Sequence, residues 1–357
     1  MSSLFKGEKL SVSVFGESHG AGIGVVIDNV PGGEKIDFEK VLDFMARRAP
    51  KKDGTSTLRS EKDFPEIMSG IVDGVTTGTP ICAVIRNTDQ HSADYGSVSH
   101  KARPGHADYT GYVRYNGAND LRGGGHFSGR ITAPICFAGA VCGQILERKG
   151  IYTGAHIGSV MNIRDERFNP VDIKKELLDE IKTRSLPLID ESKTDEIKAL
   201  ILKAREELNS VGGTIECAVI GMPAGVGSPM FDGIENRISQ LVFGIPAIKG
   251  IEFGAGFGAA NMYGSENNDP FCLDSGVIRT TTNNAGGILG GISTGMPIVF
   301  RVAVKPTPSI ARPQKTVDYV AMTEEVLEIK GRHDPCIVQR AVPCIEAAAN
   351  IAILSMI

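Results

Sequence analysis

Strand-like runs in this chain come in neighbouring groups instead of one per helix, and that spacing restricts the fold more than any other feature. Leu10-Ser-Val12-Ser-Val14-Phe15 alternates with period two, a turn follows, and Gly24 to Val30 is strand-like again. Further runs cover Val75 to Arg86, Thr214 to Ile220, Ile248 to Phe253 and Ile298 to Lys305. Between them, Phe38, Val41, Leu42 and Met45 keep helical spacing behind Asp37, a plausible cap. Thr132 to Lys149 reads as a buried helix, with Pro134 in its first turn and Gly150 as its stop. Thr194 to Leu208 has one apolar face, and an apolar helix containing Pro343 closes the chain. Neighbouring strands pair through short antiparallel connections, so the expected fold is α+β, with antiparallel sheets packed on helices. One domain, 1–357, is expected, with a helical excursion at about 165–210.

Glycine is the outlier of the composition, with 43 residues, about 12% against a usual ~7%. Clusters such as Gly123-Gly124-Gly125 and Gly254-Ala-Gly256-Phe-Gly258 let backbone approach a ligand closely, although tight turns account for many of them. The net charge of -4 offers nucleic acid no general attraction, so affinity for an anion must come from local Arg, Lys and His. Seven cysteines without a C-x-x-C pair give neither zinc spacing nor a disulfide framework, and reduced thiols and no metal are expected. No leader is evident and no apolar stretch reaches membrane-spanning length, so the expected location is the cytoplasm.

Several motifs carry chemistry. Gly16-Glu-Ser18-His19-Gly20 fits a serine-hydrolase elbow, but strand-like residues follow it where a helix is needed. Gly254 to Ala259 fits a dinucleotide fingerprint, yet Asn261, Gly264 and Pro270 follow too soon for a helix. Residues 87–131 are polar with weak periodicity, as a functional irregular segment would be. Within them, Arg103-Pro-Gly-His106-Ala-Asp108-Tyr109 puts a histidine after a tight turn. Leu121 to Arg130 runs glycines, Ser128 and Arg130 into a helix start, which suits an anion. Lys330-Gly-Arg332-His333-Asp334-Pro-Cys336 packs cations, imidazole and carboxylate before the last helix.

These blocks, with Ala285 to Gly295 and Lys305 to Ser309, occur together and in order from about residue 10 to the C-terminus. The chain thereby resembles the chorismate synthase family. The resemblance implies a helical layer sandwiched between two antiparallel β-sheets and a homotetramer. It implies elimination of phosphate from 5-enolpyruvylshikimate 3-phosphate to give chorismate, requiring reduced FMN without net redox change. Arg48, Arg130 and Arg332 would bind substrate. His19 would protonate the departing phosphate, His106 would govern flavin protonation, and Asp334 would help remove the substrate proton, by way of the flavin. Ser18 and Ser128 would orient these groups. Flavin contacts would fall on His126, Phe127, Ser128, Ala247, Gly290, Lys305, Pro306, Thr307, Pro308, Ser309 and Arg332. NADPH is a possible source of electrons, but no appended domain is evident, so an external flavin reductase is expected.

The chain departs from the family pattern in places. His126-Phe127-Ser128 stands where Arg-Ser-Ser is usual, so a fixed positive charge is replaced at best in part by His126. Lys51-Lys52-Asp53-Gly54-Thr55 lacks a usual arginine, for which a lysine would stand in. Asn283-Asn284 replaces Asn-His.

Overall fold

The computed structural model describes residues 3–50, 53–56, 63–87, 100–329 and 333–357. Two five-stranded antiparallel sheets enclose a layer of helices. The first sheet is built from β1 (Leu4–Lys6), β2 (Ser11–Gly16), β3 (Gly22–Asp28), β4 (Pro65–Ser69) and β5 (Ile81–Arg86), in the order β1-β2-β3-β5-β4. Its register pairs Val12 with Ile27 and Ile27 with Ile81, and Val14 with Val25 and Val25 with Ala83. Alternate residues therefore form one inward apolar row per pleat. The second sheet comprises β6 (Tyr152–Val160), β7 (Ile163–Arg164), β8 (Gly213–Ile220), β9 (Ile248–Phe253) and β10 (Ile298–Val304), ordered β9-β10-β8-β6-β7.

Between the sheets lie α1 (Phe38–Ala46), α3 (Thr132–Arg148), α6 (Ile234–Val242) and α7 (Val338–Leu354), while α2 (Asp108–Arg114) sits outside among the loops. The Asp37 carboxylate caps α1, accepting from the N–H groups of Glu39 and Lys40. Every residue of α7 except Arg340 is buried. At their crossing, α3 and α7 approach so closely that a Cβ on Gly139 would fall 2.3 Å from the Ala347 Cα. Only glycine permits that approach. Each large aliphatic side chain sealed in this layer, such as Ile145 or Ile351, contributes about 1.5–3 kcal/mol.

Segment 165–210 contains α4 (Lys175–Thr183) and α5 (Thr194–Glu206). Phe168, Ile173, Leu178 and Ile181 form a separate small apolar cluster with Ala218 and Val299 of the second sheet.

Three sequence expectations need correction. Val75 to Arg86 is not one strand: Val75–Thr76 ends a small hairpin, the chain turns at Gly78, and β5 begins at Ile81. The segment 87–131 is not wholly irregular, because it holds α2 and a 3-10 turn at Arg122–Phe127; residues 88–99 lie outside the described residues. Gly129–Arg148, finally, is 20 residues long and apolar enough to cross a membrane by length and composition. Here that stretch is the core helix, because α7 and both sheets supply the apolar surroundings it needs.

Candidate active site

The loops that leave the helical layer converge on one cavity of about 840 Å³. Its walls come from segments far apart in sequence: the end of α1, the turn before α2, the glycine loop before α3, the turn before β9, the segment after β10 and the start of α7.

The glycine loop organises the centre. Gly123, Gly124 and Gly125 all have positive φ, at 59°, 87° and 52°, a region costly for residues with a Cβ. A Cβ on Gly123 would lie 2.1 Å from the His19 ring, and one on Gly124 would lie 3.1 Å from His106. Successive bare α-carbons thus bring two imidazoles to one loop. Neither glycine tolerates a side chain without displacing a candidate catalytic group.

His19 and Ser18 occupy the turn between β2 and β3 and are buried. Asn87 donates to the carbonyls of Glu17 and Gly20, both at 2.9 Å, and Arg130 Nε donates to Asn87 Oδ1 at 3.0 Å. The His19 turn is therefore tied to a cavity-lining arginine. A strand follows Ser18, so the hydrolase elbow has no helix to complete it.

His106 stands just before α2. Its Nδ1 lies 2.8 Å from Asp108 Oδ1, and Arg103 grips the same carboxylate with Nε at 2.7 Å and Nη2 at 2.6 Å. Burial opposes the charge on Asp108, yet hydrogen bonds from Arg103 and His106 hold its carboxyl well below the usual range. With the Nδ1–H donated to Asp108, Nε2 is the nitrogen beside Gly124 at the cavity.

The cationic wall holds a carboxylate that no sequence motif singles out. Asp63 bridges Arg48 through Oδ2 and Arg130 through Oδ1, all three side chains being buried. Burial raises the Asp63 pKa, but the two guanidinium charges hold it lowered overall. Among the described residues, no hydrogen-bond partner reaches the buried Arg48 Nε, as in a guanidinium waiting for an anion.

Asp334 lines the cavity and accepts from Arg340 Nη1 at 2.5 Å, while Arg340 Nε donates to the Arg48 carbonyl at 2.9 Å. Arg340 thus joins two candidate site residues. As the only charged residue besides Glu346 in an apolar helix, it could have been flagged from sequence.

Among the proposed flavin contacts, His126, Phe127, Ser128, Ala247, Lys305, Thr307, Pro308 and Ser309 line the cavity. Pro306 lies within that run without lining it. Lys305 Nζ donates to the Gly105 carbonyl, joining the segment after β10 to the His106 turn. Burial, then the charge of Lys249, lowers the Lys305 pKa. Thr307 Oγ1 is buried without a hydrogen-bond partner among the described residues. His126 has both nitrogens engaged, Nδ1 with the Gly16 carbonyl at 2.7 Å and Nε2 with the Ser3 hydroxyl at 2.5 Å. Ser128 Oγ accepts from the Arg130 N–H at 3.3 Å, capping the turn into α3. Gly290 is not brought to this cavity within the chain. With Gly291 it forms the two-residue turn of the hairpin Ile288–Leu289/Ile292–Ser293. Lys51, Lys52 and Arg332 lie outside the described residues.

Comparison with known proteins decides the family. The chorismate synthase family profile matches residues 10–357. The chain belongs to the chorismate synthase family. Among curated relatives, the chorismate synthase of Dehalococcoides mccartyi is 45% identical over 350 residues, covering 98% of this chain and 95% of the relative. That of Pyrococcus abyssi is 46% identical over 342 residues, covering 96% and 94%. A crystal structure of chorismate synthase superimposes with a TM-score of 0.76 at 29% identity, covering 98% of this chain and 92% of the other. The family's β-α-β sandwich is thus the architecture found here. The fingerprint at Gly254–Ala259 forms a 3-10 turn, Gly256–Asn261, not the α-helix that dinucleotide binding by this motif requires.

Proposed function

We propose that this cavity carries out the family's reaction, the 1,4-anti elimination of phosphate from 5-enolpyruvylshikimate 3-phosphate to give chorismate, with reduced FMN as cofactor. The observation that carries the reading is the glycine loop, whose adjacent α-carbons lie against His19 and His106, with His106 lining the cavity beside Arg48, Arg103 and Arg130 and His19 buried behind Gly123 without lining it. A substrate with one phosphate and two carboxylates needs such local positive charge in a chain that is acidic overall.

Arg48 and Arg130 bind the substrate's anionic groups, and Arg332, Lys51 and Lys52 are assigned to the same task. The free Nε of Arg48 supports this, because a buried guanidinium donor gains most from an anion. His19 donates a proton to the oxygen of the departing phosphate, in a turn that Asn87 couples to Arg130. Asp334, oriented by Arg340, takes part in removing the ring proton, by way of the flavin. Ser18 and Ser128 orient neighbouring groups through their turns. His106 is held by Asp108 with its other nitrogen toward the cavity, poised to govern the protonation of the flavin.

The residues present fit FMN. The orphaned Thr307 hydroxyl, Ser309, Lys305 and Ala247 supply donors and backbone along one wall, in a cavity toward the upper end of ligand-pocket volumes. When bound, reduced FMN would supply transient electron donation, with NADPH and a separate flavin reductase as the assigned source of its reducing equivalents.

We assign the chain to a cytoplasmic homotetramer without nucleic-acid or membrane partners. Exposed Phe271, Leu273, Val277 and Ile278 on the hairpin Phe271–Asp274/Val277–Thr280 support an assembly that covers them, and Gly290 would then meet its flavin across subunits.

An anaerobic assay with 5-enolpyruvylshikimate 3-phosphate and chemically reduced FMN, following chorismate absorbance, tests the proposal. Product dependent on both protein and reduced flavin is expected. Its absence with folded, flavin-bound protein would overturn the assignment.

A further inference from the structure

Two cysteines meet at the wall of the cavity in a way the reaction above does not use. Cys136 of α3 and Cys344 of α7 face each other across the helical layer, their Sγ atoms 3.7 Å apart. The close backbone approach at Gly139 and Ala347, one turn further along both helices, brings them together. Both side chains are buried, yet Cys344 lines the cavity and Cys136 does not. Cys344 thus stands at the cavity wall, and Cys136 stands directly behind it.

The electrostatics separate the two roles. The Cys136 thiol donates to Cys344, and this hydrogen bond, with the nearby charges of Arg48 and Arg340, lowers the pKa of Cys344. The same bond, reinforced by burial, pushes Cys136 up. A thiolate near guanidinium groups is nucleophilic, and a second thiol within reach is what a resolving cysteine provides. Isolated buried thiols such as Cys142 and Cys217, pushed up by burial, have no such arrangement.

We propose that Cys136 and Cys344 are a redox-active dithiol, which a peroxide entering through the cavity converts into a disulfide joining α3 to α7. The Cys344 thiolate attacks one peroxide oxygen. The O–O bond breaks, the departing hydroxide takes a proton to become water, and Cys344 is left as a sulfenic acid. Cys136, losing its proton, then attacks the Cys344 sulfur, the S–O bond breaks and a second water leaves. The two sulfurs give up two electrons in total, and the peroxide is reduced to two waters. The sulfurs must close from 3.7 Å to about 2.05 Å, a movement within reach of side-chain rotation and slight helix adjustment. None of this depends on which ligand the cavity binds.

The test exposes the reduced full-length protein to hydrogen peroxide, alkylates remaining thiols under denaturing conditions and maps the peptides by mass spectrometry. The expected product is a cross-linked pair of peptides containing Cys136 and Cys344, two hydrogen masses lighter than the separate peptides and restored by dithiothreitol. Cys136→Ser, which keeps the volume, should abolish the cross-link and leave Cys344 trappable by dimedone as sulfenic acid. Recovery of both cysteines as free thiols, under exposure that oxidises the less buried Cys82 and Cys272, would overturn the proposal. So would a cross-link that persists in Cys136→Ser with another cysteine as partner.

Discussion

Among the described residues, His156 and His106 each pair with a carboxylate, and His106 belongs to the cavity. His156, in β6, is wholly buried, with Nδ1 2.9 Å from Asp165 and Nε2 3.1 Å from Glu216, both also buried. His106 has Nδ1 2.8 Å from Asp108, while its other nitrogen stands beside Gly124 at the cavity. Both satisfy a simple search for buried His–carboxylate pairs. The difference lies in the second nitrogen: at His156 it meets the Glu216 carboxylate, whereas at His106 it faces the cavity, approached at 3.5 Å by Arg103 Nη2. Pairing on one side orients an imidazole, and pairing on both sides makes it a structural cross-link.

The largest effect that can break this comparison is the loss of His106. His106→Ala should fold and bind FMN while turnover falls by about 10²–10⁴-fold, the range for a lost acid–base group. Its melting temperature should barely move, because Asp108 keeps its Arg103 partner. Near-normal turnover would remove His106 from the mechanism. His156→Ala should do the reverse. It leaves Asp165 and Glu216 buried without their shared cation, at a cost of about 3–5 kcal/mol. That loss reads out in denaturant titration, with turnover per folded molecule little changed.

Stability against pH sharpens the contrast. Burial opposes the charge on His156, but Asp165 and Glu216 outweigh it and raise its pKa above the ordinary 6.5. The stabilisation is complete below that pH and is lost as pH rises through the folded value. Asp108 runs the other way. Its depressed pKa stabilises the fold fully above about 3.9, and that contribution is lost as pH falls. Asp108→Asn should therefore flatten the acid limb of stability while the alkaline limb due to His156 stays. Turnover should drop by about tenfold, less than in His106→Ala, since the imidazole remains but is held less firmly. An alkaline limb that disappears with Asp108 would mean that the two histidines are not separate devices.

The same contrast explains what was legible in the sequence. The sheets, α1 with its Asp37 cap and the antiparallel arrangement follow from periodicity and local capping, which act over a few residues. The triple glycine announced a backbone that must come close to something, and its partners are two imidazoles. Asp63 was not legible. It bridges Arg48, 15 residues away, and Arg130, 67 away, and in Ser-Glu-Lys-Asp it looks like part of a solvated charge run. Asn87 and the His156 cluster were hidden likewise, because their partners arrive only through sheet pairing and loop convergence. Gly290 shows a different limit: the motif assigns it to the flavin, whereas within this chain it closes a hairpin away from the cavity, so that role would need a neighbouring subunit.

The smallest effect concerns Phe127, where the chain departs from its family. Its ring packs on α2, so close that a Cβ on Gly111 would lie 2.7 Å from it, and it tilts against Tyr115 at 6.2 Å between centroids. It also lines the cavity. The ring therefore braces, from the cavity side, the helix that begins two residues after His106. Phe127→Ser removes a half-buried aromatic ring and should cost about 1–2 kcal/mol, well below the 3–5 kcal/mol of a fully buried phenylalanine. FMN affinity should stay the same or tighten, since a hydroxyl replaces an apolar ring at the cavity wall. Fluorescence titration with FMN, beside thermal melts, separates the two effects. Weaker FMN binding at unchanged stability would make Phe127 a flavin contact in its own right, and complete unfolding would make it core.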